Sequence, residues 1–207
     1  LGGAKNHAIV MPDADMDNAV AQLVGAAFGA SGERCMALSV VVAVGDAEAD
    51  SLVSKMQEAM KGLKVGACTN ASNDFGPVIT RQHQQKVFGY IDSAEKQGAT
   101  IVVDGRNPQI QGYENGFFVG GTLIDNVTVE MDSYQAEIFG PVLQVMRVDT
   151  MQEAMDIIND HEYGNGTCIF TRDGEAARYF SDQILVGMVG INVPLPVPVA
   201  YHSFGGW

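Results

Sequence analysis

Residues 31–40 read SGERCMALSV and place an arginine, Arg34, directly before a cysteine, Cys35. A thiol ionises near pH ~8.5, so only a small share is the nucleophilic thiolate at neutral pH, and a neighbouring guanidinium can enlarge that share. Adjacency in sequence does not by itself aim the two side chains at each other. The glycines of GASGERC let backbone N–H groups approach a ligand closely. An N–H there could stabilise the oxyanion formed when a thiolate attacks a carbonyl. Spacing alone leaves Cys35 open between a buried structural thiol and a nucleophile. Cys68, in the polar stretch GACTNASND, reads as an exposed thiol without a task, and Cys168, in GTCIF, as core. A second stretch, AEIFGPV (136–142), sets Glu137 two residues before Phe139, ahead of a Gly-Pro turn. A carboxylate and a ring so spaced could hold a ribose diol beside a flat base, but spacing favours a turn with a solvated glutamate. Asn192, where a strand runs into the proline-rich ending, is placed either to hydrogen-bond a ligand or to cap a turn.

Composition narrows the classes. The 207 residues are 46% hydrophobic and 18% charged, enough to bury a sizeable core as one large domain or two small ones. A net charge of −13 argues against a nucleic-acid surface and against anionic membranes, both of which need clustered Lys and Arg. No stretch approaches the roughly 20 apolar residues that span a bilayer. Three cysteines, without a CxxC pair, point to free thiols in a reducing compartment. The four histidines form no HxxxH pair, so no metal site is expected. The triplets at Asn70, Asn126 and Asn165 match the glycosylation pattern and read as chance in such a setting.

The elements that must position these residues alternate. Val20, Leu23, Val24, Ala27 and Phe28 predict an amphipathic helix over 17–30 that starts near Asp15 or Asp17. LSVVVAV (38–44) predicts a strand buried on both faces. Helices are predicted through Leu52 to Met60, from Thr80 as N-cap to Gly98, near 150–159 and near 174–183. Strands are predicted at 100–105, 117–124, 142–148, 166–171 and 188–192, with 105–116 as a loop or hairpin insertion. Such alternation with short connections implies an α/β fold, a mainly parallel sheet flanked by helices. The ending NVPLPVPVAYHSFGGW cannot be helical and is expected as an extended segment that wraps a site. No repeat, low-complexity tract or strong domain break is visible.

Taken in order, LGGAKN, MPDADMDNAV, GERC, DFGPVIT, EIFGPV, YGNGTCIFTRD and FGGW resemble the catalytic half of the NAD-dependent aldehyde dehydrogenase superfamily. The match extends over essentially all 207 residues. GAKNH, GERCMALS, GYENGFF and NVPLPVPVAYHSF are similar to its CoA-acylating branch, which oxidises methylmalonate and malonate semialdehydes. The resemblance implies that residues 1–207 form a thiol-nucleophile domain of the aldehyde dehydrogenase catalytic type. A dinucleotide-binding domain is then expected before Leu1 and an oligomer-completing tail after Trp207. It implies NAD as cofactor, coenzyme A as co-substrate, a small semialdehyde substrate, and a dimer or tetramer of the full-length enzyme. The implied compartment is the cytoplasm, or the mitochondrial matrix in a eukaryote. Cys35 is implied as the nucleophile, with its backbone N–H as half of the oxyanion hole, and Arg34 as the group for the substrate carboxylate. Asn192 joins Arg34 on the substrate side, while Glu137 and Phe139 are implied to hold the nicotinamide ribose and ring. Hydrolytic members carry a glutamate base four residues before the lysine of the Gly-Gly-Lys motif. Counting back from Lys5 reaches Leu1, which cannot take a proton, so a thiol acceptor is expected in place of water unless an insertion shifts the register.

Overall fold

The structure, a computed structural model, describes residues 2–194. Seven strands are β1 (Asn6–Val10), β2 (Leu38–Val44), β3 (Thr100–Val103), β4 (Thr122–Asp125), β5 (Val142–Val148), β6 (Gly166–Phe170) and β7 (Met188–Ile191). They make one sheet in the order β3-β4-β5-β2-β1-β6-β7, parallel throughout except for the edge pair β3–β4. The helices are α1 (Met16–Phe28), α2 (Asp46–Met60), α3 (Arg81–Lys96), the single turn α4 (Asp132–Gln135), α5 (Met151–Asn159) and α6 (Gly174–Gln183).

Alternation along β2 divides the core between the two faces of the sheet. Val40, Val42 and Val44 pack with α3, α5 and Phe180 of α6. Leu38, Val41 and Ala43 pack with α1 and α2. A strand covered on both sides has no polar face, which is why LSVVVAV is apolar at every position but Ser39. Caps fix where the helices begin. Asp15 accepts from the Asn18 N–H at the start of α1, and Thr80 accepts from the His83 N–H at the start of α3. Thr150 and Glu153 form a reciprocal capping box on α5.

Two expectations change. The strand predicted over 117–124 begins only at Thr122. Before it, Phe117 O accepts from Val78 N, Phe118 O accepts from Gln84 Nε2, and Gly120 N donates to Gly105 O. These backbone groups go to three separate segments, so no ladder forms. Conversely, β1 is a fully buried strand that its opening residues, Asn6 and His7, do not announce. The loop reading of 105–116 stands, since no regular element falls there. Among the described residues no helix is long and apolar enough to cross a membrane. The base register at Leu1 and the ending from Leu195 lie outside the described residues.

Candidate active site

β1, β2, β5 and β6 run parallel, and their amino ends share one edge of the sheet where the chemistry-bearing residues collect. After α1 the chain turns through Gly29–Gly32, with Ala30, Ser31 and Gly32 at φ +54°, +57° and +67°. Left-handed backbone costs a non-glycine residue about 1 kcal/mol or more, so Ala30 and Ser31 hold it only because their surroundings do. Ser31 Oγ donates to Gly76 O at 2.8 Å. A Cβ on Gly32 would lie 2.2 Å from Gly140 O, so the two turns meet backbone against backbone. Only glycine serves at Gly32, on both counts.

Cys35 follows on the tight turn closed by Ala37 N donating to Arg34 O, and it is exposed. Its carbonyl is clamped by two side-chain amides, Asn6 Nδ2 at 3.0 Å and Asn165 Nδ2 at 2.9 Å. Asn6 Nδ2 also donates to Ala37 O at 2.9 Å. The backbone N–H of Cys35 has no acceptor among the described residues. Its thiol is thus presented on a fixed backbone with a free donor beside it. Of the other thiols, Cys68 is exposed in its loop, and burial pushes Cys168 far above the ordinary thiol range.

Arg34 turns away from the thiol. Its Nη2 donates to Gly25 O at 2.7 Å, which also accepts the Gly29 N–H, and to Ala26 O at 2.9 Å, both in the last turn of α1. That helix has no cation in its own last turn, and Arg34 supplies one from beyond it. Its Nε is buried with no partner among the described residues. Glu137 is half-buried, and its Oε1 accepts the Ala4 N–H at 3.1 Å. Phe139 sits at φ +58° with its ring exposed, its carbonyl accepting from His83 Nε2 at 2.7 Å. Arg34, Glu137, Phe139, Asn6 and Ala4 line a single cleft. Asn192 lies apart from it. Its Oδ1 accepts from Thr171 N and its Nδ2 donates to Thr171 O, each at 3.0 Å, lacing the turn after β7 to the end of β6. In this structure its amide therefore caps a turn.

Beneath the cleft, Lys5 is 2% exposed and donates from Nζ to Ser133 O at 2.7 Å and Ala136 O at 2.9 Å. Burial lowers its pKa to about 7 against the raising influence of Glu137. His7, fully buried beside Tyr134, is lowered to about 3, chiefly by burial. Reading the sequence missed Asn6, Ser31, Asn165 and His83 as contributors to this edge. A usable signal existed for two of them, because Asn6 and Asn165 fall inside the ordered motifs.

Residues 1–207 match the family model of the aldehyde dehydrogenase family. The chain is 52% identical over 204 residues to the bovine (Bos taurus) mitochondrial acylating methylmalonate-semialdehyde/malonate-semialdehyde dehydrogenase, an alignment of 99% of this chain and 38% of that protein. Its fold superposes on the methylmalonate-semialdehyde dehydrogenase of Oceanimonas doudoroffii with TM-score 0.98 at 81% identity, covering 100% of this chain and 42% of that one. A Sinorhizobium meliloti structure named for the same activity and solved with NAD gives TM-score 0.97 at 55% identity, with the same 100% and 42% coverage. The chain thus spans about two fifths of the length of the relatives it matches.

Proposed function

Because the chain belongs to the aldehyde dehydrogenase family, we propose that it is the thiol-bearing part of an enzyme that oxidises malonate or methylmalonate semialdehyde with NAD and passes the acyl group to coenzyme A. The observation that carries the reading is the convergence of four separated segments on the turn that bears Cys35. Asn6, Gly76, Gly140 and Asn165 all contact that turn.

The residues present fit NAD. Glu137 holds one carboxylate oxygen on Ala4 and its Oε2 has no hydrogen-bond partner among the described residues, which suits a ribose diol. Phe139 keeps an exposed aromatic face in the same cleft, which suits a flat ring. When bound, NAD supplies the hydride acceptor for the aldehyde carbon.

The chain's own residues do the rest. The Cys35 thiolate attacks the aldehyde carbon, forming a C–S bond as the carbonyl electron pair moves to oxygen. The free N–H of Cys35 lies on the same fixed turn and donates to that oxyanion, with a second donor expected from the rest of the enzyme. Oxidation leaves an acyl thioester on Cys35. The substrate's carboxylate suits the guanidinium N–H groups of Arg34 that α1 leaves free. Loss of that carboxylate as carbon dioxide or bicarbonate and attack by the coenzyme A thiol release acyl-CoA and restore the thiol.

The test is product analysis on the full-length enzyme with malonate semialdehyde and NAD. Acetyl-CoA formed only when coenzyme A is supplied is the expected result. Free acid formed at the same rate without coenzyme A would replace this reading with a hydrolytic one.

A further inference from the structure

Two groups that ordinarily carry charge stand out as deeply buried, Asp125 and Lys5. Asp125 is paired with Arg147. Lys5 has no carboxylate within ion-pair distance among the described residues, and the reaction above gives it no task. Burying an ammonium costs several kcal/mol, whereas a methionine of similar length would fill the space without that cost. The turn it grips is already anchored. Gln144 Nε2 donates to Ser133 O at 2.9 Å and Ser133 Oγ donates to Gln144 Oε1 at 3.0 Å. What Lys5 adds is the Ala136 carbonyl, one residue before Glu137, and a positive charge facing that carboxylate. Its neighbour Ala4 meanwhile holds Glu137 Oε1. Adjacent residues at the entry to β1 thus grip both the carboxylate and the segment that carries it.

We propose that Lys5 is a positioning residue for Glu137: its buried Nζ fixes the backbone just before that carboxylate, which keeps the side chain aimed into the cleft. The inference rests on reading Glu137 as the carboxylate that holds the cofactor ribose. Lys5 touches neither cofactor nor substrate, so its effect belongs to NAD affinity and not to the thiol.

A double-mutant cycle on the full-length enzyme tests it, with NAD binding measured by titration and iodoacetamide labelling of Cys35 as the second readout. Lys5→Met is expected to weaken NAD binding about tenfold while leaving the labelling rate within about twofold. Glu137→Gln weakens NAD binding as well, and the double variant binds no worse than the weaker single variant by more than about twofold, as two groups acting through one contact do. NAD affinity unchanged in Lys5→Met, or fully additive losses in the double variant, overturns the inference. Glu137→Gln with unchanged affinity sinks the ribose reading itself, a result the Lys5 arm alone cannot produce. Where the methionine variant does not fold, Lys5→Gln, which keeps one donor without the charge, takes its place in the cycle, and the same losses support or overturn the inference.

Discussion

Arg34 donates from Nη2 to two carbonyls in the last turn of α1 and also lines the cleft. One substitution separates these two tasks. Arg34→Leu removes a charged cap from a helix end and is expected to lower stability by about 1–2 kcal/mol in denaturant unfolding. In the full-length enzyme it should also raise the KM of carboxylated semialdehydes at least about tenfold more than that of uncharged aldehydes, since one charge-assisted pair is lost only with the former. Equal changes for both substrates would confine Arg34 to the helix cap. His7 makes a prediction about pH. Burial holds its folded-state pKa at about 3, below the ordinary 6.5, so between those values the unfolded chain binds the extra proton. Stability therefore falls as pH drops below about 6.5, and His7→Gln should flatten that decline in urea midpoints compared between pH 7 and pH 5. A decline of the same size in the variant would assign the acid sensitivity to other groups. Lys5, lowered to about 7, acts with the same sign at the other end, its burial cost easing as pH rises from there toward 10.5.

At the scale of elements, the turn Gly29–Gly32 sets the loop that bears Cys35 against the turn that carries Phe139. Gly32→Ala adds a left-handed strain and a clash with Gly140 O, so the two turns must separate. The expected outcome in the full-length enzyme is a loss of kcat of about a hundredfold, as for other small displacements of reacting groups, with far-ultraviolet dichroism retained. A variant with near-normal kcat would show that the contact is not what sets the distance. The same elements show what the sequence could disclose. β2, β5 and α3 were legible because most of their residues pack the core in a clear apolar period, with a threonine cap at the start of α3. β1 was not, because Asn6 and His7 are buried polar residues engaged with Cys35 O and Tyr134. Hydropathy patterns miss a strand whose interior residues are recruited to the site. The edge at 117–121 failed in the opposite way, as apolar residues there fill space without pairing.

Across the whole molecule, the cleft opens at the amino edge of the parallel strands, whereas open α/β sheets ordinarily bind ligands beyond the carboxyl ends. On the proposed reading, its residues take their facing surface from outside the 207 residues. The isolated 207 residues are accordingly expected to let iodoacetamide label Cys35 ahead of Cys68 yet to reduce no NAD above background with malonate semialdehyde. Turnover near the full-length rate, followed at the NADH absorbance, would contradict this. Of the site, Cys35, Glu137 and Phe139 were legible through the order of their motifs. Asn165 falls inside an ordered motif, but the carbonyl it clamps lies 130 positions away, so no local pattern disclosed that contact. The contact of Gly32 with Gly140 carries one more consequence. A gap set by side chains drifts as the core loosens or repacks, but here the spacer is bare peptide, whose dimensions are those of covalent bonds. On the proposed reading, that spacer gauges the separation of Cys35 from Phe139. Substitutions that soften the core should therefore lower the melting point well before they detune the chemistry.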